Sequence, residues 1–418
     1  MPIEWSPKAQ MLLRHAGRDL TTGHFRFPLL PGPHLFTDWR YVLPADVWGG
    51  FRWVSKETGE TIPVRVVNAQ GEYTTGPIDA RMEPDDVPSG IRIVAQKATK
   101  SDPLPADGPP GMHVLLDGGQ YRTWYTRGNS QRFEGSVFCA QSNDVFNWRN
   151  EQVCRFDWRA CPDAEVNEPP AVFIDPAADA RERYKMVFLG RSTKPESEAH
   201  RRALLERWLA ERPDDIDPTA LGTPPGSETP LIKYARYGAV SADGVMWTVL
   251  PEPLLLLCSD AQNVVSYDPA RASYTWYLKS EWYGARRCIA RAETKDFRRW
   301  PLPEMVLFPG AELSPADDWY TNSKTVYPGT TDYHLMFPAL YHHDTDDSEL
   351  RLFASPDGLA WTEVPGGAVL SPGPVGSWDA GFFTAGVDLL PLGRERVGLP
   401  IATTAYPHKY PRNQHTLR

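Results

Sequence analysis

Short apolar runs, each ended by a turn and followed by an aromatic-rich run, recur five times between residues 112 and 402. Apolar runs of this length, bounded by Gly, Pro and Asp, are typical of strands joined by tight turns. We therefore predict a strand–turn–strand unit at each of five markers. They are Asp117 in "MHVLLDGGQYRTWYT", Asp175 in "PAVFIDPAADARERYKMVFLG", Asp268 in "NVVSYDPARASYTWYLKS", Tyr327 in "SKTVYPGTTDYHLMFPA" and Asp388 in "FTAGVDLLPLGRERVGLPIA", at spacings of 58, 93, 59 and 61 residues.

A second phrase, here called the aspartate turn, occurs four times with a Trp six residues after its start. The copies are "SNDVFNW" from Ser142, "SADGVMW" from Ser241, "TKDFRRW" from Thr294 and "SPDGLAW" from Ser355. Its Asp can accept hydrogen bonds from backbone N–H groups of the turn, and its Trp can pack between neighbouring units. We predict that it joins the third and fourth strands of each unit, although chance hairpins would also use these residues.

Four-stranded units that repeat along a chain are typical of propeller blades. The predicted fold is therefore all-β, a five-bladed β-propeller over residues 101–418. Residues 1–100 form an N-terminal strand-rich extension that packs on the propeller or closes it. The 93-residue spacing predicts an insertion in blade two, at about residues 195–228, where Leu204, Leu205 and Trp208 have helical spacing. We expect one amphipathic helix of about three to four turns there.

Composition narrows the class of protein further. The 15 Trp, 17 Tyr, 16 Phe, 41 Pro and 32 Gly suit many short strands and turns. A net charge of −9 without a basic stripe argues against a nucleic-acid partner. Five Cys without a close CxxC pair indicate buried reduced thiols. With neither a membrane-length apolar run nor a signal-peptide core, we expect a cytoplasmic protein, or a secreted one if a signal was removed.

An acidic residue stands near the start of each predicted inner strand. The five are Asp107, Glu168, Asp260, Asp318 and Asp379, which precede their markers by 10, 7, 8, 9 and 9 residues. Inner strands of a propeller start around one mouth, and clustered carboxylates shift one another's pKa. We predict Glu168 as the general acid, Asp260 or Asp318 as base or nucleophile, and Asp379 for charge tuning or hydroxyl binding. A turn-forming role is the alternative for each.

Residues beside these acids have groups that suit a sugar. Aromatic faces stack on sugar rings, amides and ammonium groups bond hydroxyls, and cations hold an anionic group. The candidates are Trp319, Tyr320 and Trp378 for stacking, Asn263, Asn322 and Lys324 for hydrogen bonds, and Lys279, Arg286, Arg287, His408, Lys409 and Arg412 for an anion. "YHHDTDD" is expected to form an exposed hairpin loop, with no metal. No phosphate-binding loop, dinucleotide fingerprint or nucleophile elbow occurs, so no cofactor is expected.

Through these units, turns and acids, roughly residues 100 to 410 resemble the five-bladed propeller glycosidases, the group of invertases, levansucrases and arabinan-degrading enzymes. "DAQNVVSYDP", "GARRCIARAETKDFRRW" and "YTNSKTVYP" look like uncharacterised bacterial members of that group. The resemblance implies hydrolysis of a furanoside or related oligosaccharide, with a carbohydrate as the partner. A phosphorylase, a polysaccharide lyase with a His or Tyr base such as His408, and a non-catalytic carbohydrate-binding propeller are the alternatives.

Overall fold

The computed structural model describes residues 32–38, 51–62, 80–84, 92–104, 109, 112–127, 133–162, 164–166, 170–191, 203, 206, 207, 210, 234–256, 259, 262–282, 286–393 and 396–409. The chain divides into two compact units, Met1–Val94 and Ala95–Arg418. The described strands of the first unit are β1 (Phe51–Ser55), β2 (Thr61–Ile62) and β3 (Ala80–Pro84), which form an antiparallel sheet in the order β2–β1–β3. Completion of the last blade by such strands stays a prediction.

The described strands of the second unit form seven hydrogen-bonded sheets, which we assign to five groups and call sheets 1 to 5 in chain order. Sheet 1 contains β4 (Val114–Asp117), β5 (Gln120–Thr126), β6 (Val137–Ser142) and β7 (Trp148–Val153). Sheet 2 contains β8 (Arg155–Asp157), β9 (Glu165–Val166), β10 (Ala171–Ile174), β11 (Tyr184–Arg191), β12 (Tyr234–Ser241) and β13 (Met246–Val249). Sheet 3 contains β14 (Val264–Asp268), β15 (Ser273–Trp282), β16 (Arg286–Thr294) and β17 (Glu304–Leu307).

Sheet 4 has two parts and sheet 5 is built from two ribbons. The main part of sheet 4 contains β19 (Lys324–Val326), β20 (His334–Met336), β23 (Phe353–Ser355) and β24 (Thr362–Glu363). Its extension contains β18 (Asp317–Thr321), β21 (Ala339–His342) and β22 (Asp347–Leu350). Sheet 5 pairs β25 (Phe383–Ala385) with β28 (Ile401–Thr403) and β26 (Leu390–Pro391) with β27 (Val397–Gly398).

The first four markers lie between the first and second strands of the meanders. Asp117 and Asp268 end β4 and β14, while Asp175 and Tyr327 directly follow β10 and β19. In each of these sheets four strands are ordered as neighbours, β4–β5–β6–β7, β10–β11–β12–β13, β14–β15–β16–β17 and β19–β20–β23–β24. The strand–turn–strand units and their four-strand pattern are thus confirmed at these markers.

All four aspartate turns join the third and fourth strands of their meanders, as predicted. In the turn between β12 and β13, Asp243 Oδ1 accepts hydrogen bonds from the N–H groups of Val245 and Met246, each at 2.8 Å. Ser241 Oγ accepts a third, at 2.9 Å, from the N–H of Gly244, which has a φ of +76°. The turn after β23 repeats the pattern with the same residue types. Local side chains therefore determine the turn conformation.

Large aromatic side chains pack the sheets against one another in chain order. Trp124 and Trp247 join sheets 1 and 2 in one core cluster, and the Trp124 indole donates to Gly244 O at 2.7 Å. Phe173 and Trp300 lie in a second cluster, between sheets 2 and 3. A third cluster joins sheets 3 and 4. The predicted packing of the aspartate-turn Trp between units is confirmed for Trp247 and Trp300, which are both fully buried.

Sheet 5 contacts both sheet 4 and sheet 1. Ser348 Oγ on β22 donates to Phe383 O at 2.7 Å. Val387 N donates to Met112 O at 2.8 Å, and Val387 forms a parallel bridge with His113 just before β4. Leu390 packs with Val114 and Tyr121. Each sheet therefore contacts the next, and the fifth contacts the first.

Helical structure is sparse among the described residues. A 3₁₀ turn spans Ala180–Glu182. Within the predicted insertion, Ala203, Glu206, Arg207 and Ala210 are helical and exposed, and Arg207 Nη2 donates to Glu252 at 2.8 Å. The remaining residues of that segment lie outside the described ones, so the helix and its length stay predictions. In the described part of the chain, no helical segment has the length and hydropathy of a membrane crossing.

The expectation of buried reduced thiols is confirmed for the four described cysteines. Cys139, Cys154, Cys161 and Cys288 are buried and free of disulfides. Cys258 lies outside the described residues. The described His, Cys, Asp and Glu residues include no group of three or more that could hold a metal ion.

Candidate active site

Sheets 3, 4 and 5 meet around Ser323, which directly precedes β19. Ser323 N donates to Gln262 Oε1 at 2.7 Å, two residues before β14, and Ser323 Oγ donates to Ala385 O at 2.8 Å, at the end of β25. Ser323 has a φ of +45° and lies between β18 and β19. The chain bends there, so β18 continues away from this junction as part of the extension.

The extension of sheet 4 places polar groups on one face and apolar groups on the other. Asp318 pairs across the strands with Tyr341, and Trp319 pairs with Leu340. The pairing shifts register between Trp319 and Thr321, so the contacts identify the faces: Asp318 and Tyr320 both contact Arg287, whereas Trp319 packs against Phe353. Around that face lies the mouth cluster, which consists of Lys279, Arg287, Asp318, Tyr320, Tyr341, His343, Phe382 and His408.

Asp318 is the buried carboxylate of the mouth cluster. Its side chain is 1 % exposed. Oδ2 lies 3.0 Å from Arg287 Nη1 and 2.9 Å from His343 Nε2. Oδ1 is buried and has no hydrogen-bond partner among the residues that the structure describes. Buried carboxylate oxygens are almost always bonded in native proteins, so the unsatisfied Oδ1 is an unusual feature of this cluster.

A tyrosine–histidine pair lies next to this carboxylate. The Tyr320 hydroxyl is 3.0 Å from His408 Nε2, and the His408 ring stacks on Phe382 with centroids 4.1 Å apart. Lys279 Nζ lies 5.8 Å from the Tyr320 ring centroid. Hydrogen-bonded Tyr and His side chains can donate or accept a proton. The structure thus brings Asp318, Lys279 and His408 into one cluster.

Asp379 is held by an ion pair outside the mouth cluster. Its carboxylate accepts hydrogen bonds from Lys100 Nζ and, at 2.6 Å, from Ser377 Oγ. Burial raises the pKa of Asp379, but the hydrogen bonds from Lys100 and Ser377 and the Lys100 charge outweigh this and hold the pKa below its ordinary value. The lowered pKa favours the ionised form of Asp379, and its charge-tuning or hydroxyl-binding role stays a prediction.

Several predicted binding residues have partners within the protein. Trp319 is 2 % exposed and lies in the third core cluster against Phe353, so its ring is not presented to solvent. Asn263 and Asn322 are buried and bond Trp276 Nε1 and Gln262 O, respectively. Arg286 donates to the carbonyls of Pro309, Ser314 and Asp317. Trp378, in contrast, is 41 % exposed.

The charges of Lys324 and of Asp388, which is the fifth marker, interact with each other. Burial lowers the pKa of Lys324 to about 8, although the charges of Asp388 and Asp268 act in the opposite direction. Burial raises the pKa of Asp388 to about 6, against the effect of the Lys324 charge. Each charged form is thus less favourable in the folded protein than in the unfolded chain.

Replacing Asp388 by asparagine is expected to stabilise the protein at pH 8. The folded pKa of about 6 exceeds the ordinary value of 3.8, so the cost of ionisation develops as pH rises through this window and is complete above it. We expect a gain of about 1–2 kcal/mol at pH 8 and almost none at pH 4. Asn also tolerates the φ of +70° at this position.

Chemical denaturation at both pH values measures this difference. Asp102→Asn, at an exposed position, is the control and should leave stability unchanged at either pH. Equal effects of Asp388→Asn at pH 4 and pH 8 would contradict the raised pKa.

Glu168 and Asp260 lie outside the described residues, as does Asp107, and their roles stay predictions. Sequence reasoning did not assign Tyr341, Phe382 or His343 to a site. Within "YHHDTDD", residues 343–346 form the hairpin loop between β21 and β22, as predicted, while Tyr341 and His342 end β21 and Asp347 begins β22. The spacing of Asp318 and Tyr320 on a strand, two residues apart, was the available signal for a shared face.

Comparisons with known proteins gave structural matches only. Similar solved structures include an N-acetylgalactosamine deacetylase from F. plautii in complex with blood group B trisaccharide (14% identity, TM-score 0.46, covering 72% of this chain and 80% of that chain). They also include a thermostable family-43 glycoside hydrolase (11% identity, TM-score 0.43, covering 66% of this chain and 78% of that chain). A third is an endo-arabinase from Bacteroides thetaiotaomicron (13% identity, TM-score 0.41, covering 73% of this chain and 98% of that chain). The group that the sequence resembles is thus represented among the matches. No protein-family model and no curated protein matches the chain.

Proposed function

We propose that residues 101–418 form a five-bladed β-propeller, with one of sheets 1 to 5 as each blade. Four meanders with identical strand order support this, together with the contacts of each sheet with the next and of sheet 5 with sheet 1. In this arrangement the first strands of the sheets surround the central channel. The junction at Ser323 then lies at one mouth, and the mouth cluster lies directly outside it.

The proposed activity is hydrolysis of a glycosidic bond in a furanoside or related oligosaccharide at this mouth. The observation that carries it is the buried Asp318 carboxylate, with one oxygen held by Arg287 and His343 and the other without a partner. Glycoside hydrolysis requires a carboxylate base or nucleophile opposite a carboxylic acid. Asp318 fills the first role here, and Glu168 or Asp260 is the predicted source of the second.

Product analysis on a panel of furanosides and oligosaccharides tests the activity. A hydrolase releases a reducing sugar with water as the only co-substrate. A phosphorylase would require added phosphate and release a sugar phosphate. A carbohydrate-binding propeller would bind without turnover. Time-resolved NMR of the anomeric proton then distinguishes retention from inversion, which depends on the separation of the two carboxyl groups.

A polysaccharide lyase is the second candidate, because of the hydrogen-bonded Tyr320 and His408 beside two cations, Lys279 and Arg287. In β-elimination a base removes the proton next to a uronate carboxylate, the bond to the leaving oxygen breaks, and that oxygen takes up a proton. The product is an unsaturated sugar with ultraviolet absorbance. Appearance of that absorbance without uptake of water would identify a lyase.

A further inference from the structure

One edge of the Arg287 guanidinium has no partner in the mouth cluster. Nη1 contacts Asp318 Oδ2 at 3.0 Å and His343 Nε2 at 3.4 Å. Nε is buried without a hydrogen-bond partner, and no described residue bonds Nη2. The N–H of Nε and one N–H of Nη2 point to the same edge of a guanidinium, the edge that grips both oxygens of an oxyanion.

The plane of this guanidinium is held in place by its neighbours. Its central carbon lies 4.9 Å from the Tyr320 ring centroid and 5.8 Å from that of Tyr341. Tyr341 is fully buried, and its hydroxyl donates to Asp346. The side chain of Arg287 is 25 % exposed, so part of it is open to solvent. The free edge is therefore pre-organised, and little side-chain entropy is lost when a ligand binds.

Two further basic side chains lie in or next to the mouth cluster. His343 is 36 % exposed and borders Arg287, while Lys409 Nζ lies 5.3 Å from the Tyr341 ring centroid. The Asp318 charge is already balanced by Arg287, and its free Oδ1 can accept a hydrogen bond from a hydroxyl. A matching ligand presents two anionic oxygens and a neighbouring hydroxyl.

We propose that the mouth cluster binds a sugar that carries an oxyanion group, a carboxylate or a sulfate ester, gripped side-on by Arg287. This inference rests on the proposed function, because it names the class of glycan for the same site. The oxyanion occupies the Nε–Nη2 edge, and a hydroxyl of the same glycan donates to Asp318 Oδ1. The resulting ligand class is an acidic oligosaccharide rather than a neutral one.

Calorimetric titration of the full chain tests this proposal with matched ligands. The ligands are a methyl uronide, its uncharged methyl ester, the corresponding neutral hexoside and a sulfated hexoside. We expect the uronide or the sulfated sugar to bind on the order of tenfold to a hundredfold more tightly than the uncharged sugars. The tighter of the two identifies the source of the oxyanion. Equal binding of charged and uncharged sugars, or no binding of any acidic sugar, overturns the proposal.

Arg287→Lys tests whether the guanidinium edge is responsible. Lysine keeps the positive charge but lacks the paired donors, so the preference for the acidic sugar should fall about tenfold or more. Arg127→Lys, on sheet 1, is the matched control and should keep the preference, because Arg127 bonds Glu151 outside this cluster. A preference retained in a folded Arg287→Lys variant overturns the assignment. The comparison of uronide with ester in the unmodified protein stands even if that variant fails to fold.

The two proposals can fail separately. Hydrolysis of neutral glycosides without an acidic preference would overturn this inference and support the proposed function. Tight binding of acidic sugars without turnover of any glycoside would support the inference and contradict the proposed function.

Discussion

Replacement of Asp318 by asparagine is expected to lower kcat/KM for the glycoside substrate by about 10²- to 10⁴-fold. The amide keeps the size of the carboxylate but can neither take up a proton nor act as a nucleophile. Oδ1 has no hydrogen-bond partner among the described residues, so no contact that the structure describes keeps it from reacting. Steady-state kinetics combined with a binding titration would show lost turnover with a dissociation constant changed by less than about tenfold.

Asp317→Asn is the matched control for this variant. Asp317 precedes Asp318 on β18, faces the opposite side, and contacts His342 Nδ1 at 2.8 Å. It therefore repeats the Asp–His contact without belonging to the mouth cluster. Its activity should stay within about twofold of the unmodified protein, since it lies outside the reacting groups. Full turnover in a folded Asp318→Asn variant would exclude Asp318 as a catalytic residue.

Replacement of Lys185 by alanine is expected to destabilise the protein by about 3–5 kcal/mol. Lys185 Nζ lies 3.1 Å from Asp175 Oδ2, and the two side chains are 2 % and 0 % exposed. The Tyr274 hydroxyl of sheet 3 donates to the same Oδ2 at 2.7 Å. Removing Lys185 leaves a buried carboxylate without its counter-ion between sheets 2 and 3, and this uncompensated charge is the main cost.

Chemical denaturation of Lys185→Ala measures the change in the free energy of unfolding. Arg159→Ala is the control, because Arg159 is 91 % exposed although its ion pair with Asp157 is only 2.6 Å long. Solvent screens such a pair, so its loss should cost less than about 1 kcal/mol. A similar small cost for Lys185→Ala would show that Asp175 does not depend on its counter-ion.

Asp175 and Asp318 illustrate what a repeat can predict about acidic residues. The marker position of Asp175, next to a turn at the end of a strand, was predicted from the apolar runs and is confirmed. Its ion pair with Lys185 was not predicted, because Lys185 comes from the second strand of the sheet and reaches Asp175 only when β10 and β11 pair. The contact of Asp318 with Arg287 was likewise not predicted, because Arg287 lies on β16 and reaches Asp318 on β18 only when sheets 3 and 4 pack together.

The sequence by itself determined the strands and turns at the first four markers, whereas the strands beside the fifth marker, β25 and β26, pair with β28 and β27 and not with each other. Asp243 and Ser241 form their hydrogen bonds with groups two or three residues away, so the information for this turn is local. The alternation of apolar and polar residues likewise determines which side chains of a strand share a face. These features were therefore predictable before any contact between sheets was known.

Only the tertiary structure decided which of the two described acids, Asp318 or Asp379, keeps a carboxylate oxygen without a described partner. Asp318 and Asp379 both precede their markers by nine residues, so the repeat alone treats them as equivalent. Asp379 meets Lys100, which is 279 residues away, and both of its oxygens are occupied. Asp318 meets Arg287, which is 31 residues away, and keeps one oxygen free. The partners of a buried charge depend on how distant strands pack, and that packing is not encoded in the spacing of one repeat.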